Sequence, residues 1–148
     1  KEYRRQRQMC IRDRRMAEPF RAPIVLLSSG ENVVTVGAES GVGGRNQEYC
    51  TAAAVTIAGS RRIVFGAVDT DGTDGPGGFR YPGAPDCLAG AITDGETAQA
   101  AKQAGIDLED ALRTHGTSEP LWRLGGSKCL RARSARDFDS GIKEIQKE

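Results

Sequence analysis

The residues of this 148-residue chain best able to do chemistry are an arginine at the mouth of a helix and a run of aspartates behind a strand. In "SGVGGRNQEYCTAAAVTIAG", residues 40–59, a glycine-rich turn leads through Arg45, Asn46 and Glu48 into an alanine-rich stretch. Free N–H groups and the positive dipole end of a helix favour an anion at such an entrance. A guanidinium adds a planar fork for phosphate oxygens. Arg45 is therefore a candidate catalytic cation, with Gly43, Gly44 and Asn46 as candidate cofactor contacts. The plainer alternative is a tight turn that needs glycine to bend, followed by an Arg45–Glu48 ion pair three residues apart on the helix surface.

"DTDGTDGP" places Asp69, Asp71 and Asp74 close together at the carboxyl end of an apolar run, where open α/β sheets hold their ligands. As a calcium loop it fails, because Asp74 stands where the glycine at place six belongs and Arg80 where the final glutamate belongs. Hard oxygen ligands in a flexible loop do suit Mg²⁺ shared with a nucleotide phosphate, which asks for only one or two carboxylates. Asp71 and Asp74 are the candidate metal ligands, and a pair of Asp-Gly turns is the alternative. Glu31, after a Ser-Ser-Gly turn, is a second acid at a strand end. The single histidine, His115, reads as a partner for the negative end of a helix dipole.

Other chemistries are disfavoured by spacing. "GVGGRN" lacks the third glycine of the dinucleotide fingerprint and its acid about twenty residues on, and no G-x-x-x-x-G-K-[ST] occurs. There is no G-x-S-x-G elbow for a serine hydrolase and no clustered His/Cys set for zinc.

The elements that must position these groups follow from the pattern. "IVLLSSGENVVTV" predicts strand, turn, strand, and the recurrence of Tyr49, Ala53 and Ile57 predicts a helix over about 46–58 with Gly59 as its stop. "RRIVFGAV" is a continuous apolar run, as in a strand buried on both faces of a parallel sheet. "CLAGAITDGETAQAAKQAG" predicts a short buried segment, then a helix capped by Thr93 or Asp94 with Glu96 in its first turn and Gly105 at its end. "DLEDALRTHG" and "SEPLWRLGG" predict two further short helices. The fold class expected is α/β, a mostly parallel sheet with flanking helices.

The ends differ from this body. Residues 1–15 carry seven Lys or Arg against two acids, which leaves the rest at −4 under a net charge of +1. Residues 1–22 are read as a basic arm, disordered or extraneous to the fold, and residues 127–148 as a charged tail. Nucleic acid as a partner would rest on the arm alone. Four dispersed cysteines without a C-x-x-C pair, and no hydrophobic leader, suggest a reduced, cytoplasmic setting. No apolar run reaches the ~20 residues of a membrane helix.

"VLLSSGENVVTV", "GVGGRNQEYCTAAAV", "VDTDGTDGP" and "DCLAGAITDGET", in this order and spacing, resemble the MOFRL domain that ends members of the glycerate 2-kinase family, often labelled hydroxypyruvate reductase. The resemblance covers residues 23–126. It implies two α/β domains with the active site between them, and transfer of the γ-phosphoryl of ATP, with a divalent metal such as Mg²⁺, to glycerate. It implies Glu31 near substrate or metal, Arg45 as the cation for carboxylate or phosphoryl group, and Asp71 as metal ligand or proton acceptor, with Asp74 and Asp86 as further acids. It also implies an N-terminal domain with its own catalytic lysine that these residues do not contain, so the 148 residues alone are expected to be inactive. Beyond Gly126 the chain departs from the strand and T-G-P-T-G-T-N-type loop of the family. An NAD(P)H-dependent hydroxypyruvate reductase, a non-catalytic binding domain using the basic arm, and a domain kept for subunit contact are the competing readings.

Overall fold

A computed structural model describes residues 23, 25–31, 33–38 and 41–125, so the expectations for the basic arm and the charged tail lie outside the described residues. Of the described residues, those up to Glu31 fall in one unit and those from Val33 onward in another. In the first unit, residues 25–31 form neither helix nor strand, and Val25, Leu26 and Leu27 are exposed. Residues 33–37 of the second unit likewise form no strand, and Val33 is exposed. The predicted strand–turn–strand is thus absent from the described residues. An apolar run becomes a strand only where a neighbour takes its backbone groups, and the two strands described here take each other.

The second unit is built around helix α1 (Arg45–Thr56), which packs on both strands, β1 (Val64–Val68) and β2 (Gly90–Asp94), and on three short helices. These are α2 (Thr97–Gln103), α3 (Leu108–Arg113) and α4 (Ser118–Arg123). β1 and β2 pair antiparallel, Val64 opposite Asp94 and Val68 opposite Gly90. That corrects the parallel arrangement expected: a parallel return needs a long crossover, usually a helix, and residues 69–89 contain none. β1 is also not buried on both faces, since Val64 is 72% exposed.

The helix over 46–58 is present within two residues at each end, but its buried face is not the one expected. Gln47, Cys50, Thr51 and Ala54 form the inward stripe, whereas Tyr49 is half exposed and lies edge-on to Phe65 at 4.7 Å. Two polar residues can face inward because each is satisfied: Gln47 Nε2 donates to Asp74 O (2.9 Å), Ser118 Oγ donates to Gln47 Oε1 (2.7 Å), and Thr51 Oγ1 donates to Gln47 O (2.8 Å). The apolar members split into two clusters. Cys50 meets Ala91 and Leu121 on one side, and Ala54 meets Ala101 and Leu108 on the other.

Helix ends follow local chemistry. Asp94 Oδ1 accepts from Glu96 N and Thr97 N (both 3.0 Å), so Asp94, not Thr93, secures the start of α2, while Thr93 is buried and donates to Cys50 O (3.1 Å). Glu96 stands at the cap position of α2 rather than in its first turn. Asp107 Oδ1 accepts from Glu109 N and Asp110 N at the start of α3.

Burial has a consequence for Cys50. Desolvation lifts its thiol from an ordinary 9.0 to about 11, against the lowering by hydrogen bonds to Ala67 and Ala91. A raised pKa in the folded state means stability that is complete below pH 9 and lost as pH climbs towards 11, by up to about 2–3 kcal/mol. Urea denaturation at intervals from pH 8 to 11 is expected to show a steeper alkaline decline for the wild type than for Cys50→Ala. Parallel declines would refute this account.

Candidate active site

Five segments of the second unit meet around one hollow of about 540 Å³: residues 33–36, the glycine turn 41–44, the first turn of α1, the loop after β1, and the turn between α3 and α4. Its lining includes Arg45, Glu48, Asp69, Asp71 and His115, with Val33, Val34 and Val36 at its apolar side. Arg45, expected at a helix entrance, and Asp71, expected behind a strand, both line this common space.

The glycine turn is held by backbone contact. Gly41 N donates to Thr114 O (2.6 Å) and Ser118 N to Val42 O (3.0 Å), laying the turn directly on residues 114–118. A Cβ on Gly44 would stand 2.1 Å from Asp74 O, and one on Gly43 would stand 2.5 Å from His115 O. Close packing therefore requires glycine here whether or not a phosphate binds. Gly44→Ala is expected to cost about 1–3 kcal/mol, as overpacking of a fixed backbone does. Thermal unfolding of the variant checks this, and an unchanged melting temperature would show that the turn yields.

Asp74 has a structural occupation that its sequence did not reveal. It is 1% exposed, and its Oδ1 accepts from both Asn46 N and Asn46 Nδ2 (3.0 Å each) while Oδ2 accepts from Gln47 N (2.8 Å). Gly44 precedes α1 with no side chain to cap it, so a carboxylate from 28 residues away takes the orphan N–H groups of the helix start. This corrects two expectations. Asp74 is a remote helix cap rather than an open metal ligand, and Asn46 directs the donors of its backbone and side chain at Asp74 rather than at a cofactor. Gly43 and Gly44 do line the hollow.

Arg45 Nη2 is joined to Asp69 Oδ2 in an ion pair that is one-third exposed on the arginine side and mostly buried on the aspartate side. Asp69 continues the sheet by one bond, its N–H reaching Ala89 O at 2.7 Å, so the guanidinium is anchored to the end of β1. Asp69 was visible as part of the acidic run, yet its role was not. Glu48, the partner sequence spacing suggested for Arg45, accepts from His115 Nδ1 (2.7 Å).

Asp71 is exposed at the lip, where its Oδ1 accepts from Thr73 N (2.9 Å) and Thr73 Oγ1 (3.1 Å). Those hydrogen bonds lead the causes that hold its carboxyl below the ordinary aspartate value, with Asp69 and the Arg45 charge adding smaller effects. It stands ready as an anion, a better cation ligand than proton store. Among the described residues no three His, Cys, Asp or Glu side chains converge as a metal site by themselves. Asp71 fits a cation that takes its other ligands elsewhere.

Two other candidates are not among the residues that line the hollow. Asp86 faces a second concavity with Phe79, Arg80 and Tyr81, and its Oδ2 accepts from Gly78 N (3.4 Å). Glu31 belongs to the first unit, whereas the hollow is lined from the second.

A family model described as the MOFRL family matches residues 24–131. The chain belongs to the MOFRL family. A glycerate 2-kinase of Pyrococcus horikoshii is 39% identical to this MOFRL chain over 108 residues, covering 73% of the chain and 22% of the relative. A D-glycerate 2-kinase of Thermotoga maritima is 36% identical, over 72% of the chain and 23% of its own length. An Agrobacterium vitis protein named "Putative hydroxypyruvate reductase" is 38% identical over 72% of the chain and 23% of itself. The MOFRL chain therefore spans under a quarter of the length of these relatives. A crystal structure of a Pyrococcus horikoshii protein superposes with a TM-score of 0.62 at 38% identity, covering 74% of this chain and 23% of that one. A glycerate kinase structure from Thermotoga maritima gives 0.62 at 34%, over 78% and 25%. Among the described residues no helix is long and apolar enough to cross a membrane.

Proposed function

We propose that this chain is the C-terminal part of an ATP-dependent glycerate kinase, transferring the γ-phosphoryl of ATP to a hydroxyl of glycerate. The observation that carries the reading is the meeting of Arg45, Asp69 and Asp71 at one hollow, in a chain whose relatives include proteins named glycerate 2-kinase. Phosphoryl transfer asks a protein for positioning and charge neutralisation above all. Arg45, braced by Asp69, supplies a fixed fork for the transferring phosphoryl or for the glycerate carboxylate.

Charge in the hollow supports a divalent cation. One guanidinium faces the carboxylates of Glu48, Asp69 and Asp71, a net −2 with His115 neutral. A triphosphate would be repelled there unless it came with its own positive charge. Mg²⁺, which keeps most of its ligands as water and phosphate oxygen, needs one carboxylate from the protein, and Asp71 is the residue that would hold it. When bound, the ion would neutralise charge on the phosphates. The remaining wall of the cleft, including the catalytic lysine, would come from an N-terminal domain, and we expect residues 1–148 alone to be inactive. Cytoplasmic location belongs to the same proposal.

The name borne by the Agrobacterium vitis relatives favours a second reading, hydroxypyruvate reduction by NAD(P)H, against which stands the missing dinucleotide fingerprint. The protein carrying both domains separates the two. ADP release that depends on glycerate and Mg²⁺ is expected. NADH oxidation with hydroxypyruvate, and no ADP release with glycerate, would replace the kinase with the dehydrogenase.

A further inference from the structure

His115 is the only non-glycine residue with positive φ among the described residues, at 57°. It ends α3 in a Schellman arrangement, Gly116 N donating to Ala111 O (2.9 Å) and His115 N to Leu112 O (3.4 Å). The left-handed position of that motif is where glycine, or asparagine, ordinarily sits, yet the glycine of this turn comes one residue later. A side chain kept where the backbone disfavours one is a reason to ask what it does.

The ring answers in geometric terms. His115 lines the hollow beside Arg45, Asp69 and Asp71. Its Nδ1 is 2.7 Å from Glu48 Oε1, both side chains being less than one-fifth exposed. A carboxylate only accepts, so it holds the proton on Nδ1 and leaves Nε2, in the neutral ring, as a lone-pair acceptor. Glu48 is fixed in turn on the first helical turn of α1, next to the arginine that would grip the substrate. Carboxylate, imidazole and an open ring nitrogen make the arrangement by which a base is oriented towards a hydroxyl. Asp71, the other acceptor at the lip, is held as a weak base by Thr73 and suits a cation instead.

We propose that His115 Nε2, with Glu48 as its positioning residue, takes the proton from the glycerate hydroxyl that attacks the γ-phosphoryl group. The inference rests on the kinase reading above. In the step, the hydroxyl oxygen bonds to the γ-phosphorus. The bond from that phosphorus to the β,γ-bridging oxygen breaks with its electron pair on the departing ADP, and the hydroxyl proton passes to Nε2.

The left-handed backbone supplies clean variants, because glycine and asparagine both accept φ near +57°. In the protein carrying both domains, His115→Asn and His115→Gly are expected to fold as the wild type does by circular dichroism and to lose kcat by at least about 10²-fold. Added imidazole is expected to restore part of the kcat of His115→Gly. Glu48→Gln is expected to lose less kcat than His115→Asn. Folded variants that keep kcat within about threefold of wild type would overturn the inference while leaving the kinase reading intact, since loss of a general base is a far larger effect. A wild type without glycerate-dependent ADP release would overturn both. These 148 residues hold a single histidine, and in the two-domain protein its ring ¹⁵N signals are identified as those missing from His115→Asn. A protonated Nδ1 and unprotonated Nε2 in the neutral ring support the pair, and the opposite tautomer overturns it.

Discussion

Replacing Arg45 with alanine in the two-domain protein is expected to lower kcat/KM for glycerate by about 10³-fold, the scale on which a positioned cation acts in phosphoryl transfer. The expectation follows from how the guanidinium is held. Its ion-pair partner, Asp69, sits at the end of β1 and is mostly buried, whereas Arg45 itself opens onto the hollow. Removing the guanidinium leaves the mostly buried Asp69 carboxylate without this partner, at a cost of about 1–3 kcal/mol. Arg45→Ala should therefore lower the urea midpoint modestly while activity collapses. Arg45→Lys separates charge from shape: a lysine keeps the charge but not the two-pronged fork, so it should recover only part of the loss. Asp69→Asn probes the brace, with a smaller fall in kcat/KM because the cation remains but is less fixed. Steady-state kinetics on the three variants, set beside their denaturation curves, test the argument. Equal losses of stability and activity for Arg45→Ala would reduce it to a structural residue.

How far these features could be read beforehand depended on the range over which each is determined. α1 was legible because its signals are local: helical spacing inside it and Gly59 after it. The meeting of Arg45 with the aspartate loop was legible too, since both stand at predictable ends of elements. Its inward face was not, because Gln47 and Thr51 are buried only by virtue of partners at Asp74, Ser118 and the preceding turn. The direction of β2 could have been found. Residues 69–89 show no helical period, and a parallel crossover without a helix is rare. The place of His115 also had a signal, a histidine standing before the glycine where a helix should stop, although its bond to Glu48, 67 residues away, had none.

Asp74 is the case that sequence hides most completely, and it carries the largest expected effect on stability. Three donors converge on its carboxylate from Asn46 and Gln47, in a site 1% exposed. Asp74→Ala removes the acceptor and strands buried N–H groups at the start of the helix on which both core clusters lean. A lost cap and an unsatisfied buried donor each cost about 1–2 kcal/mol, so a destabilisation of about 2–4 kcal/mol is expected. Asp74→Asn is the sharper variant. One amide oxygen can still receive the donors of Asn46, but the amide nitrogen then confronts Gln47 N–H, donor against donor. A metal ligand and a helix cap respond differently to that change. If Asp74 bound a cation, Asn would weaken Mg²⁺ dependence and leave the apo protein's unfolding midpoint in place. As a cap, it lowers the midpoint in the presence of chelator and of Mg²⁺ alike. Urea denaturation of wild type and both variants in EDTA distinguishes the two, and an unmoved midpoint for Asp74→Asn would return this carboxylate to the metal side of the hollow.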